Sequence, residues 1–199
     1  YRWSNPRDEI GSTDGYSVSY ACRVKDQSKS FLHRTNRRDG NRRTWTFSCW
    51  VKRASTGQGR DMIFSAGNPH NRGYLNIGFR RDNSLEIRDN GGDNINYVTQ
   101  RKFLDLNVFY HIVVVIDTRA TVSTDFVRVY IDGNRISTLE FSVRTTPRRA
   151  FQTEVNQRKI HSIGAAHDTG QWLHYFNGII ADAHLVDGQA RSPAVFGEM

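Results

Sequence analysis

Apolar and polar residues alternate with a period of two along most of the chain. From Phe126 to Ile131, Val127, Val129 and Ile131 fall on one face and Arg128 on the other; Asp132-Gly133-Asn134 then interrupts, and the pattern resumes at Arg135-Ile136. Alternation on both sides of an Asp-Gly pair predicts a β-hairpin, because the tight turn needs residues that tolerate positive φ. Tyr74 to Phe79, a turn around Arg81-Asp82-Asn83-Ser84, and Leu85 to Arg88 predict a second hairpin. The stretch from His111 to Asp117 is different, since Ile112, Val113, Val114, Val115 and Ile116 are apolar at every position. A strand of that kind is central and covered on both faces. Trp45 to Lys52 and Asn177 to Val186 complete the clear strands, with Ser17 to Val24 and Phe31 to His33 as shorter ones. No stretch carries a capped helical stripe. The expected fold is all-β, a two-sheet antiparallel β-sandwich or jelly roll, and the lack of helices between strands argues against a parallel α/β fold.

Length sharpens this to one domain. At 199 residues the chain is large enough for a substantial core. The weakly patterned first stretch reads as an arm or linker over 1–20, leaving 21–199 as the domain. Ser142 to Arg158, with Pro147 and irregular spacing, reads as a long functional loop or subunit contact. The first residue is Tyr1 rather than methionine, which fits a fragment or a processed product, and no leader-like apolar stretch opens the chain. The longest aliphatic run, Ile112 to Ile116, is far short of the roughly 20 residues of a spanning helix, so membrane insertion is not expected.

Charge adds a partner class. Lys+Arg 28 against Asp+Glu 20 gives 28 − 20 = +8, and the pairs Arg37-Arg38, Arg42-Arg43, Arg80-Arg81 and Arg148-Arg149 concentrate it. Guanidinium groups favour carboxylate, sulfate or phosphate, so an acidic glycan or acidic subunit surface is expected. Nucleic acid is the weaker candidate, with no helix-turn-helix, zinc finger or RNP motif present. Arg42, Arg43, Arg148 and Arg149 are the candidate assembly contacts; the plain alternative for each pair is a solvated surface. Cys22 and Cys49 are too few for a disulfide scaffold. Both read as buried free thiols, with a bridge open only if their strands are neighbours.

Candidate chemistry is sparse. A retaining glycosidase needs two carboxylates about 5 to 5.5 Å apart on one strand face. The nearest string, Leu85-Glu86-Ile87-Arg88-Asp89, puts Arg88 where the second carboxylate should stand and turns Asp89 to the other face. Glu86 is expected to pair with an arginine across strands. Serine-nucleophile and phosphate-loop motifs are missing, and the spacing of His161, His167 and Asp168 matches no metal motif. Asp89, Asn90, Asp93 and Asn94 offer hard oxygen donors for calcium, yet the same string is ordinary turn chemistry. Glycan binding asks for aromatic faces beside polar groups. Asp168, Trp172, His174 and Tyr175 supply that mixture before the last strand, with Tyr74 and Tyr97 beside the Asn-rich loop as a second option. These aromatics would equally suit a covered sandwich edge or a subunit contact.

The order of short motifs carries a family resemblance. Thr44 to Arg53, Ile63 to Gly67, Phe109 to Val113 with Asp117, Val127 to Gly133, Ile163-Gly164 and Phe176 to Asp182 together resemble the concanavalin A-like, laminin-G-like jelly-roll family. Leu32 to Thr35, Gly40 to Trp45, Leu185 to Ala190 and Pro193 to Glu198 make the chain similar to laminin-G-like modules of marine bacteriophage structural and fibre proteins. The match runs from about Cys22 to Glu198. Phe109 stands where the family usually has tryptophan, and Cys49 where phenylalanine or glycine is more usual; neither change threatens the fold.

The resemblance implies a non-enzymatic structural and adhesive module of a virion, in a fibre, tail or capsid surface, that attaches to host-surface glycan. Its partners would be other virion subunits and further copies of itself, a trimer being plausible. Calcium, which several relatives hold, is the one cofactor to consider, and His111 is expected to be a structural residue bonded to backbone. The alternatives are a pure assembly or decoration protein and, disfavoured by the missing acidic pair, a glycan-degrading enzyme.

Overall fold

The computed structural model describes residues 21–68, 73–90, 92–168 and 170–197. In chain order the strands are β1 (Ala21–Val24), β2 (Leu32–Thr35), β3 (Thr44–Arg53), β4 (Asp61–Asn68), β5 (Gly73–Phe79), β6 (Ser84–Asp89), β7 (Asn96–Lys102) and β8 (Tyr110–Asp117). They continue with β9 (Val127–Ile131), β10 (Asn134–Arg135), β11 (Phe141–Thr145), β12 (Ile160–Ile163), β13 (Ala166–Asp168), β14 (Gln171–Leu173) and β15 (Gly178–Asp187). A six-stranded sheet runs β1-β15-β3-β8-β9-β10, a seven-stranded sheet runs β11-β7-β6-β5-β4-β12-β2, and β13 and β14 form a separate ribbon. The two large sheets pair antiparallel throughout. The helical pieces among the described residues are short 3-10 turns.

The alternation fixes which side chains meet between the sheets. Trp45, Phe47, Cys49 and Val51 of β3 and Ile112, Val114 and Ile116 of β8 face Phe64, Leu75, Ile77, Ile87 and Tyr97 of the seven-stranded sheet in one core. The all-apolar run of β8 is explained by its other face: Val113 and Val115 pack under Phe196, with Val186 and Tyr130 alongside. The C-terminal turn Pro193–Phe196 therefore closes the outer side of the six-stranded sheet.

At the end of β3 the inward alternation reaches Arg53, which is fully buried. Its guanidinium meets Asp61 Oδ2 at 2.9 Å, donates to the carbonyl of Phe103 at 2.7 Å and to Asn83 Oδ1 at 3.1 Å, and lies over the ring of Phe79. A buried charge is tolerated only when paired and hydrogen-bonded in this way.

Several expectations are corrected. The region Ser142 to Arg158 is not one loop: Phe141–Thr145 pairs with β7 as an edge strand. The rest is tied down by Trp45 Nε1 on Thr153 Oγ1, Arg42 Nε on the Thr153 carbonyl and Arg43 Nε on the Ala150 carbonyl. Arg42 and Arg43, both partly exposed, thus hold a loop of their own chain, Arg42 also pairing with Glu154 at 3.3 Å. Arg148 and Arg149 are exposed. Cys22 is exposed, unlike Cys49, because β1 is an edge strand. The two strands are not neighbours, β15 lying between them, and both thiols are free. The arm over 1–20, with the start of the strand expected from Ser17, lies outside the described residues.

Candidate functional site

The β13–β14 ribbon stands at one end of the seven-stranded sheet and carries the aromatic segment before β15. Gly170, at φ 80, turns the chain between its strands, so that Trp172 lies opposite His167, with ring centres 4.9 Å apart and edge to face. The ribbon is fastened to β4: Met62 N–H donates to the His174 carbonyl at 2.9 Å, and Gly164 N–H to the Ile63 carbonyl at 2.9 Å. Gly164 has φ 87, and a Cβ there would lie 2.8 Å from Val24 Cγ1 and 3.7 Å from Phe31 Cα. Glycine suits both the positive φ and the close packing of the Val24 side chain there.

An aromatic shelf lies beside the ribbon. The ring of Phe31, next to β2, lies 4.1 Å from that of Trp172 and 6.0 Å from that of Tyr175. His33 joins at 5.1 Å from Trp172. Trp172 and Tyr175 are half-buried and His174 is exposed, its backbone held at φ 56. Of the expected glycan residues, Trp172, His174 and Tyr175 are therefore together, and Asp168 lies in β13 opposite Gln171. Phe31, His33 and His167 complete the shelf. The alternation of Phe31 and His33 marked a strand, but the sheet order that brings it to Trp172 is not a local property.

The second aromatic option does not form. Tyr97 is in the core, its hydroxyl within 2.8 Å of Thr146 Oγ1 and its ring edge-on to Phe141. Tyr74 sits on β5, separated from β2 by β4 and β12, and its N–H donates to Asn90 Oδ1.

Beside the shelf, and sharing His33 with it, a cleft of about 680 Å³ opens between the two sheets. Its floor is apolar, from Phe47, Phe64, Ile163 and Leu185. Its rim carries Arg34, Arg37 and Arg38. Arg34 donates to Asn36 Oδ1 through Nε and Nη2, and all three arginines are exposed and outside the ion pairs found among the described residues. The rim aspartates are engaged internally: Asp39 Oδ1 accepts from Arg158 N–H at 2.6 Å, and Asp187 Oδ1 from Asn41 N–H at 2.7 Å and Asn156 Nδ2 at 2.9 Å. His161 at the back uses both ring nitrogens, Nε2 accepting from Asn156 N–H and Nδ1 donating to the Lys159 carbonyl. Burial, with the charge of Arg34 adding to it, lowers its pKa, so the ring is neutral.

The Asn-rich loop is built as a turn. Asp89 is buried, and its Oδ1 accepts from the N–H groups of Asn94 at 3.2 Å and Ile95 at 2.5 Å. Asn90, at φ 39, accepts from Tyr74 N–H, and Asp93 is exposed. Among the described residues no group of three or more His, Cys, Asp or Glu converges as a metal site would. Glu86 pairs with Arg60 at 3.4 Å; that arginine comes from the segment before β4, not from a neighbouring strand. His111 bonds Ser48 Oγ at 2.8 Å through Nε2 and stacks on Trp50 at 4.6 Å. Burial is the largest cause that draws its pKa down to about 4.

Comparisons with known proteins agree with this architecture. The family model Laminin_G_3, described as the concanavalin A-like lectin/glucanases superfamily, matches residues 26–195. No curated protein sequence matches. Among solved structures, the chain is similar to a heptameric SAP-like pentraxin from Limulus polyphemus, with TM-score 0.58, 16% identity, 88% of this chain and 78% of that one covered. It is similar to domains LG4-5 of the mouse laminin alpha1 chain, with TM-score 0.59, 13% identity, and 91% and 45% covered. A Trypanosoma rangeli sialidase gives TM-score 0.51 at 13% identity, over 78% of this chain but 22% of the sialidase. At these identities the likeness is one of fold.

Proposed function

The chain belongs to the concanavalin A-like lectin/glucanase superfamily, and from that premise we propose that it is a non-enzymatic carbohydrate-binding module, working in a virus particle as part of a phage fibre, tail or capsid surface. The observation that carries the binding role is the shelf of Phe31, His33, Trp172 and Tyr175. A group of half-buried rings offers the apolar face of a sugar a stacking surface, while His174 and the polar edges of the histidines offer hydrogen bonds. The +8 charge favours acidic glycans by steering them to the surface. Each site binds weakly, and several copies in a homo-oligomer gain avidity through effective concentration. The virion setting is supported by the resemblance of the motif order to phage fibre modules. Against catalysis, Glu86 is tied to Arg60 and has Arg88 at its second position, so no carboxylate pair flanks a common point there.

The test is a screen of immobilised neutral, carboxylated and sulfated glycans with the oligomeric chain. Binding that Trp172→Ala lowers about tenfold or more, and Trp172→Phe largely preserves, is the expected result. Binding indifferent to Trp172→Ala removes the shelf from the reading. Release of reducing ends from a bound polysaccharide, abolished by Glu86→Gln, would make the protein an enzyme.

A further inference from the structure

A run of cations continues the shelf along the chain. His33, whose ring lies 5.1 Å from that of Trp172, is followed directly by Arg34 and, four and five residues on, by Arg37 and Arg38. All four residues of β2 are exposed, and so are Arg37 and Arg38. Even a fully extended chain puts Arg37 no more than about 14 Å from His33, a distance that a short oligosaccharide covers.

What holds these arginines sets them apart. Arg42, Arg53, Arg60, Arg101 and Arg135 each meet a carboxylate at 3.5 Å or less. Arg34 is oriented instead by a neutral amide: its Nε and Nη2 donate to Asn36 Oδ1 at 3.0 and 2.9 Å, and Asn36 is itself fixed by Nδ2 on the Gln157 carbonyl at 3.2 Å. An amide aims the guanidinium without cancelling its charge. Arg37 and Arg38 make no ion pair among the described residues, and the carboxylates beside them, Asp39 and Asp187, accept internal N–H groups. A planar guanidinium with donors to spare matches the two oxygens of a carboxylate.

We infer that the shelf and Arg34, Arg37 and Arg38 act as one site for a carboxylated oligosaccharide: a neutral sugar stacks on the rings at Trp172 while the guanidiniums hold the carboxylate of a neighbouring uronic acid. The inference rests on the glycan-binding reading of the shelf and deepens it, from attraction by net charge to recognition of where the acid lies. The contact uses side-chain heads at the surface and does not require entry between the sheets. Stacking supplies affinity for a sugar with an apolar face, and the arginines supply the choice among sugars.

The test compares an immobilised oligosaccharide of alternating uronic acid and neutral hexose with the same oligosaccharide after its carboxyl groups are reduced to alcohols, each against the 199-residue chain. Reduction keeps the rings and removes the charge. It is expected to weaken binding about tenfold or more, and Arg34→Gln/Arg37→Gln/Arg38→Gln to weaken binding of the unreduced ligand by a similar factor. The two changes together should cost no more than either alone, because both remove the same contact. Salt should weaken the unreduced ligand more than the reduced one, and Trp172→Ala should weaken both. Equal binding of the two ligands, or an arginine variant that weakens both alike, overturns the inference; if Trp172→Ala still weakens both, the shelf stands as a neutral-sugar site. Binding of neither ligand by a chain that holds another glycan through Trp172 also overturns it and spares the shelf. Binding indifferent to Trp172→Ala removes the shelf and the inference together.

Discussion

Replacing Arg53 by methionine keeps the aliphatic stem and removes the guanidinium from a place water does not reach. Three contacts go with it: the 2.9 Å pair with Asp61, the 2.7 Å bond to the Phe103 carbonyl and the 3.1 Å bond to Asn83. Asp61 is left buried without its counter-charge. Burial already raises its carboxyl pKa, against the pull of Arg53, so losing the arginine raises it further. Breaking one side of such a pair costs about 3 to 5 kcal/mol, a fall in Tm of roughly 6 to 20 °C for a domain of this size.

The sign with pH follows. In R53M the folded state holds a proton on Asp61 that the unfolded state releases, so stability falls as pH rises from the unfolded carboxyl pKa through the raised folded one. The deficit against the parent protein is therefore smaller near pH 4 than near pH 7.5. Urea unfolding at both pH values measures it, and D61N added to R53M should recover part of the loss at neutral pH. A deficit under about 1 kcal/mol, or one that neither low pH nor D61N reduces, would refute the argument. The effect should also reach the shelf, because Asp61 precedes Met62, whose N–H holds the His174 carbonyl. Faster exchange of the Met62 amide in R53M is the expected sign.

Other predictions are more local. His111, drawn down to about 4 mainly by burial, stays neutral in the fold and charges in the unfolded chain. Stability present above about pH 6.5 is lost as pH falls toward 4, by roughly 3 kcal/mol at most, and H111N should flatten that part of the profile. His161 is shifted the same way, mainly by burial, and adds slope of the same sign. Cys22 is exposed, whereas burial raises the Cys49 thiol far above its ordinary range, so a thiol reagent should label one cysteine in the native protein and both in denaturant. D89A removes the acceptor for Asn94 and Ile95 and should cost about 1 to 3 kcal/mol, equally in calcium and in chelator. A calcium-dependent rise in Tm that D89A abolishes would restore the metal reading of the loop.

The strands recovered from alternation are those whose two faces differ or are both apolar. β3, β8, β15 and the hairpins β5–β6 and β9–β10 fall within a few residues of their expected spans. β7, β11, β12 and the β13–β14 ribbon were not separable, and the reason is physical. The outward side of the seven-stranded sheet carries a cross-strand row of polar residues, Ser162, Ser65, Asn76, Arg88 and Asn96, related by successive register pairs. Ser65, Asn76 and Ser162 are nonetheless buried. Strands with buried polar residues on one side and short edge strands such as β11 lose the contrast that periodicity reads.

The site divides along the same line. Trp172, His174 and Tyr175 are consecutive enough to suggest a binding surface, and the structure brings them together. Tyr97 was misplaced because an aromatic next to a turn looks exposed until the strand's phase is known: its neighbours Asn96 and Val98 face outward, so Tyr97 must face the core. Phe31 and His33 could not be joined to Trp172 by any local rule, since the link is made by sheet order. The arginine pairs separate by the same logic. Arg42 and Arg43 precede a central strand and are drawn into holding Thr153 and Ala150, whereas Arg37 and Arg38 follow β2, the last strand of its sheet among the described residues, and are exposed. Identical dipeptides thus acquire opposite roles from whether the strand beside them ends the sheet. That is why exposed positive charge collects at the rim of the cleft beside the shelf.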